Sequence, residues 1–563
     1  MRRWPVLATL AMMLPTILYV ALLAACDATS APVGALNTGI RAAAVATATS
    51  TASPTPRPTA TATPDPPATL RIALPGLPDT LNPIKTGNDV GQAVAALVAA
   101  GLTRPGIRGN PEPDLAQSWE YDPVGGSWTF HIRPDARWHD GVAVTAADVV
   151  FTLGQVRSRP LGGLWDGIRA EELDPSAVRF YVPLARMGTF LALTSLPLLP
   201  SHLLAAGGEA WTTFERAPIG AGPFRVTAID ARGAQLERRS PRTPGGANIA
   251  TVTLAFTSGP DAELPLLRSG AVDLATIPRR DAANAATSAS ITLWRPLRAT
   301  QTMLLLNSRS AVLRDVRVRQ ALWLATDRNA LVLRALGGLG QPSADPLALQ
   351  PDGPLGTARV PTVTPDREGA GALLDAAGWT LGDTGLRQQT SGRTVQPLRL
   401  TILTTSAPDR LAVAQELSSQ YRTIGIDVTV QQVGMEGLIR DFLATGAYDA
   451  TVVGVAWGLP DQQPGRWWRA PQGATDRENF TGLADEQLEA SLAAAEAQPD
   501  PALRAQQFAA FRTRFSVVVP AIPLYQPVWL VASTTRLTGM VWGWTADAGD
   551  LMRGVTTWRL NGP

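Results

Sequence analysis

The feature that most limits the fold of this chain is an alternation of strand and helix patterns in its C-terminal half. Short runs rich in apolar and β-branched residues predict strands at residues 398–403, 426–430 and 450–455. Longer stretches between them predict helices at residues 409–421 and 435–443. Strands that are joined through helices in this order form a parallel sheet with right-handed crossovers. The sequence therefore predicts an α/β fold.

The N-terminal part of the chain adds two strand patterns and one helix start. Residues 70–74 and 128–133 alternate with the period of two that is typical of half-buried strands. Thr145, followed three residues later by Asp148, resembles a capping box with Asp in place of Glu. The chain has 563 residues, which is enough for about three or four domains of roughly 150 residues each.

The first 26 residues indicate where the protein resides. Arg2 and Arg3 precede an apolar run at 4–23, and small residues follow it directly before Cys26. This arrangement resembles a bacterial lipoprotein signal with its lipobox, in which the Cys26 thiolate accepts a diacylglycerol. The alternative is an uncleaved transmembrane anchor, because about 20 apolar residues can span a bilayer. Both readings place the rest of the chain outside the cytoplasm, on the bacterial cell membrane or in the periplasmic space.

The composition changes abruptly after this segment. Residues 27–68 are rich in Ala, Thr, Ser and Pro and contain no aromatic residue, which predicts a disordered, semi-rigid tether. Cys26 is the only cysteine, so its lipidation leaves no thiol for a disulfide or a metal site. The 49 basic and 47 acidic side chains are nearly balanced, which argues against nucleic acid as the main partner.

The sequence contains no motif that predicts an enzyme or a cofactor. The three histidines, His131, His139 and His202, lack the paired spacing of a zinc site. Residues 220–223 read Gly-Ala-Gly-Pro, and because Pro223 stands where a dinucleotide motif would open a helix, we interpret them as a tight turn before a strand. A pair of glycosidase carboxylates is defined only by separation in space, so a hydrolase remains a competing class.

The order of several motifs resembles the extracellular solute-binding proteins of family 5, the peptide and nickel receptors of ABC transporters. The resemblance covers nearly all of residues 70–540. The most specific block is 128–133 with residues 138–141 and 145–151, which is close to the family signature throughout. The further matching segments are Leu81-Asn82-Pro83, residues 113–119, residues 218–224, Leu306-Asn307, residues 318–322, Ile424-Gly425-Ile426, Tyr448-Asp449 and residues 522–525.

The resemblance implies a two-lobe, periplasmic-binding-protein-like α/β fold with a hinge between the lobes. Lobe I would comprise residues 69–300 and 536–563, with an inserted subdomain at 109–216, and lobe II would comprise residues 301–535. The matching segments themselves are expected to be structural: Trp128, Phe130 and Ile132 share one strand face and are predicted to fill a core.

The resemblance also implies where the ligand would bind. One contact segment of the family follows the strand that begins next to Asp449, and it looks like Trp457, Gly458 and the residues up to 464 in this chain. Peptide-binding members carry a carboxylate there that pairs with the peptide ammonium. Asp461 lies one position after the usual offset, which Pro460 occupies. A second segment places Gly91 and Gln92 near the ligand.

These features predict a membrane-anchored receptor that binds peptides between its lobes and delivers them to the permease of an ABC importer. We expect a monomer that catalyses no reaction, needs no cofactor or metal, and is held at the membrane by a lipid on Cys26. Aromatic rings stack on sugar rings and on cations, so Trp457, Trp467 and Trp468 leave an oligosaccharide or a cationic ligand as an alternative to peptide. Most of the tryptophans are nevertheless expected to be core residues. The other competing classes are an extracytoplasmic hydrolase and an adhesion or sensory lipoprotein.

Overall fold

The computed structural model describes residues 67–157, 164–239, 248–347, 364–456, 465–470, 479–543 and 545–562. Cys26, the predicted signal and all but the last two residues of the predicted tether lie outside these ranges. Within the described residues, none of the helices is long and apolar enough to cross a membrane.

The strands of the described residues are numbered in chain order. They are β1 (Ala68–Pro75), β2 (Thr103–Pro105), β3 (Pro111–Pro113), β4 (Ala116–Asp122), β5 (Ser127–Ile132), β6 (Arg169–Asp174), β7 (Ala177–Tyr181), β8 (Phe224–Asp230), β9 (Gly233–Arg238), β10 (Ile249–Thr257), β11 (Leu274–Thr276), β12 (Ile291–Trp294), β13 (Thr300–Leu306), β14 (Gln341–Pro342), β15 (Thr380–Leu381), β16 (Arg387–Ser391), β17 (Thr394–Pro397), β18 (Arg399–Thr404), β19 (Asp427–Gln432), β20 (Ala450–Ala456), β21 (Ala521–Gln526), β22 (Val531–Thr534), β23 (Leu537–Thr538) and β24 (Arg559–Leu560).

The α-helices are numbered in the same way. They are α1 (Asp89–Val98), α2 (Ala146–Arg157), α3 (Phe190–Leu193), α4 (Ser201–Leu204), α5 (Glu209–Arg216), α6 (Glu263–Arg268), α7 (Ala282–Ala286), α8 (Val316–Ala325), α9 (Arg328–Leu336), α10 (Arg367–Ala376), α11 (Pro408–Arg422), α12 (Met435–Gly437), α13 (Gly465–Trp468), α14 (Glu486–Ala497), α15 (Pro501–Val518) and α16 (Ala548–Met552). A π-helical segment, Leu438–Leu443, continues α12.

Lobe I is built on a seven-stranded sheet whose order in the described chain is β12-β22-β11-β1-β10-β9-β8. The central strand β1 runs parallel to both β10 and β11. Its apolar side chains Leu70, Ile72 and Leu74 are buried in one core with residues of α1 and α16. The predicted strand at 70–74 is therefore confirmed as part of β1, and it lies at the centre of the lobe.

Lobe II is built on a six-stranded sheet with the order β14-β21-β13-β20-β18-β19 in the described chain. Strand β18 runs parallel to both β19 and β20, and α11 connects β18 to β19. The predicted alternation of strands and helices is confirmed, except that only the first turn of the second helix is α-helical and the rest is the π-helical segment.

The inserted subdomain contains a four-stranded antiparallel sheet, β4-β5-β7-β6. Trp128, Phe130 and Ile132 of β5 are buried, as predicted, and Phe130 packs edge to face against Phe180 and Phe190. The burial of these aromatic rings supplies much of the hydrophobic stabilisation of the subdomain.

The sheets show where the chain passes between the lobes. It leaves the lobe I sheet after β12 and enters the lobe II sheet at β13, then returns from β21 to β22. Strand β22 pairs with β11 and β12 in lobe I, whereas the sequence placed residues up to 535 in lobe II. The chain therefore re-enters lobe I before Val531. A strand belongs to the lobe whose sheet it pairs with, and β22 pairs with strands of the lobe I sheet.

Two of the segments that resemble the family stabilise the fold through side-chain hydrogen bonds. Asn307 donates its side-chain amide to the carbonyl oxygens of Gly446 (2.9 Å) and Tyr448 (2.6 Å), which ties the end of β13 to the start of β20. Asp449 accepts hydrogen bonds from the Ser310 hydroxyl (2.6 Å) and from the Thr401 main chain. These residues are structural, as the sequence predicted for the family segments.

The Gly-Ala-Gly-Pro segment is a turn, as predicted. A Cβ atom on Gly220 would lie 1.9 Å from the Val98 carbonyl oxygen, and one on Gly222 would lie 2.5 Å from the Val98 carbonyl carbon. The Gly222 main chain also donates to the Val98 oxygen (2.8 Å). The two glycines are required because the turn presses against the C-terminal end of α1, and β8 begins directly afterwards.

Asp148 organises the N-terminal end of α2. Its carboxylate, 2% exposed, accepts hydrogen bonds from the Trp138 indole (3.1 Å), the Thr145 main chain (2.9 Å), and the main chain (2.8 Å) and hydroxyl (2.6 Å) of Ser201. The bond to Thr145 is the one that a capping box requires of its third residue. The same carboxylate thus joins three segments of the inserted subdomain.

We predict that Asp148→Asn lowers the free energy of unfolding of the subdomain by about 2 to 3 kcal/mol, because an amide can satisfy only some of these donors. Urea denaturation followed by tryptophan fluorescence measures the change. Asp122→Asn is the control, since Asp122 is exposed and accepts one hydrogen bond from Val124. Equal effects of the two substitutions would contradict the assigned role of Asp148.

Candidate binding cleft between the two lobes

The two lobes are joined by a hinge of two antiparallel segments, residues 295–299 and 526–530. The Arg298 main chain donates to the Pro527 oxygen and the Trp529 main chain donates to the Pro296 oxygen, both at 2.8 Å. The Arg298 guanidinium lies 3.9 Å from the centre of the Trp529 ring. A paired hinge of this kind allows the lobes to rotate about one region while it limits their sliding.

The parallel strands of both sheets end next to this hinge. In lobe I, β1, β10 and β11 run towards the edge from which β12 leaves and at which β22 begins. In lobe II, β18, β19 and β20 run in one direction, and β20 ends at Ala456 beside the first residue of β13. The crevice outside the carboxyl ends of parallel strands is where open α/β sheets bind ligands.

Contacts between the lobes show that these two edges face each other. Arg279, shortly after β11, forms an ion pair with Asp409 at the start of α11 and donates to the Ala335 carbonyl oxygen (2.8 Å). On the inserted subdomain, the Gly188 main chain donates to the Glu496 carbonyl oxygen of lobe II (2.8 Å). The space between the edges is therefore bounded by the hinge and by these two contacts.

The lobe I wall of this cleft combines apolar surface with one carboxylate. A cavity of about 20 Å³ at the end of β1 is bordered by Pro75, Asp89, Thr276 and the hinge residue Trp529. Burial lowers the pKa of the Arg298 guanidinium, and the carboxylates of Asp89 and Asp547 oppose this shift. The Arg298 Nε atom is buried and has no hydrogen-bond partner in the described structure.

At the lobe II sheet edge beside the hinge, several buried polar groups have no hydrogen-bond partner among the described residues. Gln301, the second residue of β13, is fully buried, and neither its side-chain nitrogen nor its oxygen has a hydrogen-bond partner among the described residues. The hydroxyls of Thr404 and Thr405, at the carboxyl end of β18, are also buried and unpartnered in that part of the chain. Buried polar groups are normally paired, so such groups at a binding edge suit a ligand that supplies the partners.

Arg298, Gln301, Thr404 and Thr405 are not among the residues that the sequence predicts for the site. The sequence indicates one of them, because Gln301 is a long polar side chain near the start of a strand that continues as Thr, Met and three Leu residues. No such indication exists for Arg298. Its position at the hinge depends on a pairing between segments that are 228 residues apart.

The sequence-predicted contacts Trp457, Gly458 and Asp461 lie outside the described residues, directly after β20. The register places Val455, near the end of this strand, opposite Gln301. The predicted role of the three residues stays a prediction.

The other two predicted contacts, Gly91 and Gln92, lie in the first turn of α1. The Asn88 side chain caps this helix by accepting from the Gly91 main chain (2.8 Å). A Cβ atom on Gly91 would lie 2.0 Å from the Thr86 hydroxyl oxygen, so close packing favours glycine at this position. Gln92 borders a different cavity, between lobe I and the inserted subdomain, whose lining includes Asp547 and Gly549. Ligand contact by Gly91 and Gln92 also stays a prediction.

The other sequence candidates have structural partners. Trp468 is buried in the lobe II core and packs edge to face against Phe515, whereas Trp467 is partly buried beside Arg466. His139 is held between the Gly222 oxygen (3.0 Å) and the Gly220 main-chain nitrogen (3.2 Å), and burial lowers its pKa. The bond from the Gly220 N–H fixes Nδ1 as the acceptor, so the ring is neutral with its proton on Nε2.

Comparison with known proteins agrees with this architecture. Residues 110–475 match the model of the bacterial extracellular solute-binding proteins, family 5, middle part. The chain is 26% identical to the oligopeptide-binding protein AppA of Bacillus subtilis over 409 residues, which cover 69% of this chain and 73% of AppA.

Two solved structures show the same fold. The structure of AppA from Bacillus subtilis in complex with a nonapeptide has a TM-score of 0.64 and 22% identity, and covers 88% of this chain and 99% of that chain. NikZ from Campylobacter jejuni in complex with Ni(L-His) has a TM-score of 0.68 and 23% identity, with coverage of 87% and 99%. The two parallel edges that face each other across a paired hinge, together with the family match over most of the chain, show that the protein belongs to the bacterial extracellular solute-binding proteins of family 5.

Proposed function

We propose that the protein is the membrane-anchored substrate-binding component of an ABC importer and that it captures peptides in the cleft between its lobes. The observation that carries this proposal is the presence of buried polar groups without partners among the described residues at the lobe II sheet edge beside the hinge, with Gln301 as the clearest case. A catalytic role is not needed to explain them, since they are amide and hydroxyl groups suited to hydrogen bonding.

The chemistry of the cleft supports a peptide ligand. The Gln301 amide can donate and accept at once, as a peptide group does, and the Thr404 and Thr405 hydroxyls have the same capacity. Side chains of both signs stand near the cleft, with Asp89 on the lobe I wall and Arg298 at the hinge. A peptide offers both an ammonium and a carboxylate to such a wall. The relative AppA is named as an oligopeptide-binding protein, which agrees with this choice.

Binding would be coupled to closure of the lobes. A ligand that contacts Gln301 on one wall and the region of Asp89 on the other makes all its contacts only when the walls approach. The closed form is then stabilised by the difference in ligand affinity between the two forms. The closed receptor would dock on the permease and release the peptide there, while the lipid on Cys26 and the tether at 27–68 keep it near the membrane.

The first test concerns the ligand class. If the Asp461 carboxylate pairs with the peptide ammonium, Asp461→Asn weakens peptide binding by about 1.5 to 3 kcal/mol, the scale of a hydrogen bond to a charged group. Isothermal titration calorimetry measures this against a peptide library and an oligosaccharide panel, with N-acetylated peptides as the matched ligands that lack the ammonium. Heat from sugars alone, unchanged by Asp461→Asn, would overturn the peptide assignment in favour of a sugar receptor.

The second test concerns Gln301. We predict that Gln301→Leu raises the thermal stability of the ligand-free protein, because the substitution removes a buried amide without partners and so about 1 to 3 kcal/mol of desolvation cost. The same variant binds peptide more weakly, since the ligand loses its partner. Differential scanning calorimetry and titration calorimetry give the two readouts.

Gln420→Leu is the matched control for that experiment. Gln420 is also buried in lobe II, but its oxygen accepts from the Asp327 main chain (2.8 Å) and its nitrogen donates to Glu416 (2.9 Å). The control variant is expected to lose stability and to retain its affinity for peptide. A loss of stability in Gln301→Leu with unchanged affinity would show that Gln301 is only structural.

The third test concerns anchoring. In bacterial cells that express the full chain, we predict that Cys26→Ser leaves unprocessed, unlipidated precursor, because the hydroxyl of serine does not replace the thiolate as acyl acceptor. Intact-mass analysis of the membrane-extracted wild type is expected to show an acylated chain that begins at Cys26. A wild-type mass that retains residues 1–25 without an acyl group would indicate the transmembrane-anchor alternative.

A further inference from the structure

The N-terminal end of α11 lies on the lobe II side of the cleft, directly after the carboxyl end of β18. Residues 405–407 connect the strand to the helix, and Ala407 occupies the N-cap position, where no side chain caps the helix. Pro408 follows it and has no N–H group. The N–H groups of Asp409 and Arg410 have no acceptor within the helix. This end of α11 therefore offers main-chain donors and the positive end of a helix dipole at the edge of the cleft.

Arg410 places a positive charge where the helix dipole disfavours one. It is the third residue of α11, in the first turn of the helix. Its guanidinium extends to Gly454 of β20, where a Cβ atom would lie 3.2 Å from Nη2. Among the described residues, Arg410 forms no ion pair and no hydrogen bond. The charge at this position is explained neither by the stability of the helix nor by a partner in the described part of the chain.

The acidic neighbour of Arg410 is already paired with another residue. Asp409 forms an ion pair with Arg279 of lobe I, so this end of α11 also faces the opposite wall of the cleft. Burial raises the pKa of the Tyr525 hydroxyl on β21, and the charges of Asp409, Arg410 and Arg279 act on the same hydroxyl. The three charged side chains therefore lie around one point. Two guanidinium groups and one carboxylate leave a net positive charge there.

Thr404 adds a buried hydroxyl on the same face of the sheet. Leu400 and Ile402 of β18 are buried in the core that includes α11, and Thr404 follows them in the same alternation of side chains. Its side chain is 0% exposed, and its hydroxyl has no hydrogen-bond partner among the described residues. The register of β18 against β20 brings Thr404 close to Gly454, and so to the Arg410 guanidinium. Buried hydroxyls are normally paired, so this group is suited to a ligand that supplies the acceptor.

From this convergence we propose that the N-terminal end of α11, with Arg410 and Thr404, is the subsite of the cleft that binds a carboxylate group of the ligand. A guanidinium can donate two parallel hydrogen bonds to a carboxylate, and the N–H groups at a helix N-terminus favour an anion. The proposal rests on the proposed function in one respect, namely that the ligand binds in the cleft. For a peptide, the group is the C-terminal carboxylate.

The test compares two pairs of ligands whose members differ only in their carboxylate groups. One pair is a random tetrapeptide library without Asp and Glu, with free or with amidated C-termini. The other pair is trigalacturonate and its methyl ester. Isothermal titration calorimetry of the full chain measures the apparent affinity for each. We expect the wild type to bind the free peptides about tenfold or more tightly than the amidated peptides, the scale of a hydrogen bond to a charged group.

Arg410→Gln is expected to remove most of this preference. The variant should bind the free peptides about tenfold or more weakly than the wild type, and the amidated peptides with unchanged affinity. Arg399→Gln is the matched control, because it removes the same charge from the same lobe at the amino end of β18, where Arg399 pairs with Asp427 (3.2 Å). The control should bind both libraries as the wild type does.

Thr404→Val supplies a second readout that includes the ligand-free protein. Valine has nearly the shape of threonine, so the variant should melt at a higher temperature because a buried hydroxyl without a partner is removed. It should also bind the free peptides several-fold more weakly. Thr326→Val is the matched control, since Thr326 is equally buried but donates to the Leu322 oxygen (2.7 Å) and bonds to the Tyr421 hydroxyl (2.9 Å). This control should melt at a lower temperature and keep its affinity.

The outcomes separate the subsite from the proposed function. Equal affinity of the wild type for free and amidated peptides, or equal losses in Arg410→Gln and Arg399→Gln, would overturn the subsite and leave the peptide receptor. A lower melting temperature of ligand-free Arg410→Gln with an unchanged preference for free C-termini would show that Arg410 is only structural. Binding of trigalacturonate alone, lost on esterification and in Arg410→Gln, would overturn the peptide assignment and support the subsite. Binding of neither carboxylate probe would overturn both.

Discussion

The structure depends on the pairing of two short chain segments that pass between the lobes. Main-chain hydrogen bonds link residues 295–299 to residues 526–530, and the Arg298 guanidinium stacks on the Trp529 ring. This pairing fixes which sheet edges meet. Because the parallel strands of both sheets end at the hinge, their carboxyl ends form the two walls of one cleft. The position of the site is thus a consequence of topology.

Polar groups are used in two different ways in this fold. At two structural positions the buried polar side chains have several hydrogen-bond partners, namely Asp148 at the start of α2 and Gln420 between α9 and α11. At the cleft, the Gln301 amide and the Thr404 hydroxyl are buried without partners among the described residues. Leaving such groups unpaired lowers stability, and that cost is consistent with groups reserved for a ligand.

The two cavities differ in the chemistry that they offer. The cleft presents amide and hydroxyl groups with charges of both signs, which suits a peptide. The cavity beside the inserted subdomain is bordered by five arginines, of which Arg104, Arg133 and Arg553 form ion pairs with Glu112, Asp135 and Asp550. The hinge residue Arg298 lies within the electrostatic influence of both Asp89, which borders the cavity at the end of β1, and Asp547, which borders the arginine-rich cavity. A change of charge at Asp89 or at Asp547 therefore alters the electrostatic environment of the Arg298 guanidinium at the hinge.

The sequence by itself determined the local structure and the family. Periodicity predicted β1, β5 and the alternating elements from 398 to 455, because burial on one face leaves a regular pattern of apolar side chains. The tertiary structure decided the sites. Arg298 and Gln526 are 228 residues apart in sequence and are brought into contact only by the tertiary fold. Gln301 is recognised only in the structure, because its buried side-chain amide has no hydrogen-bond partner among the described residues. The five arginines that border the cavity between lobe I and the inserted subdomain come from four segments, and no local pattern connects these segments. Contact across such distances is set by the packing of whole sheets, which a local sequence pattern does not encode.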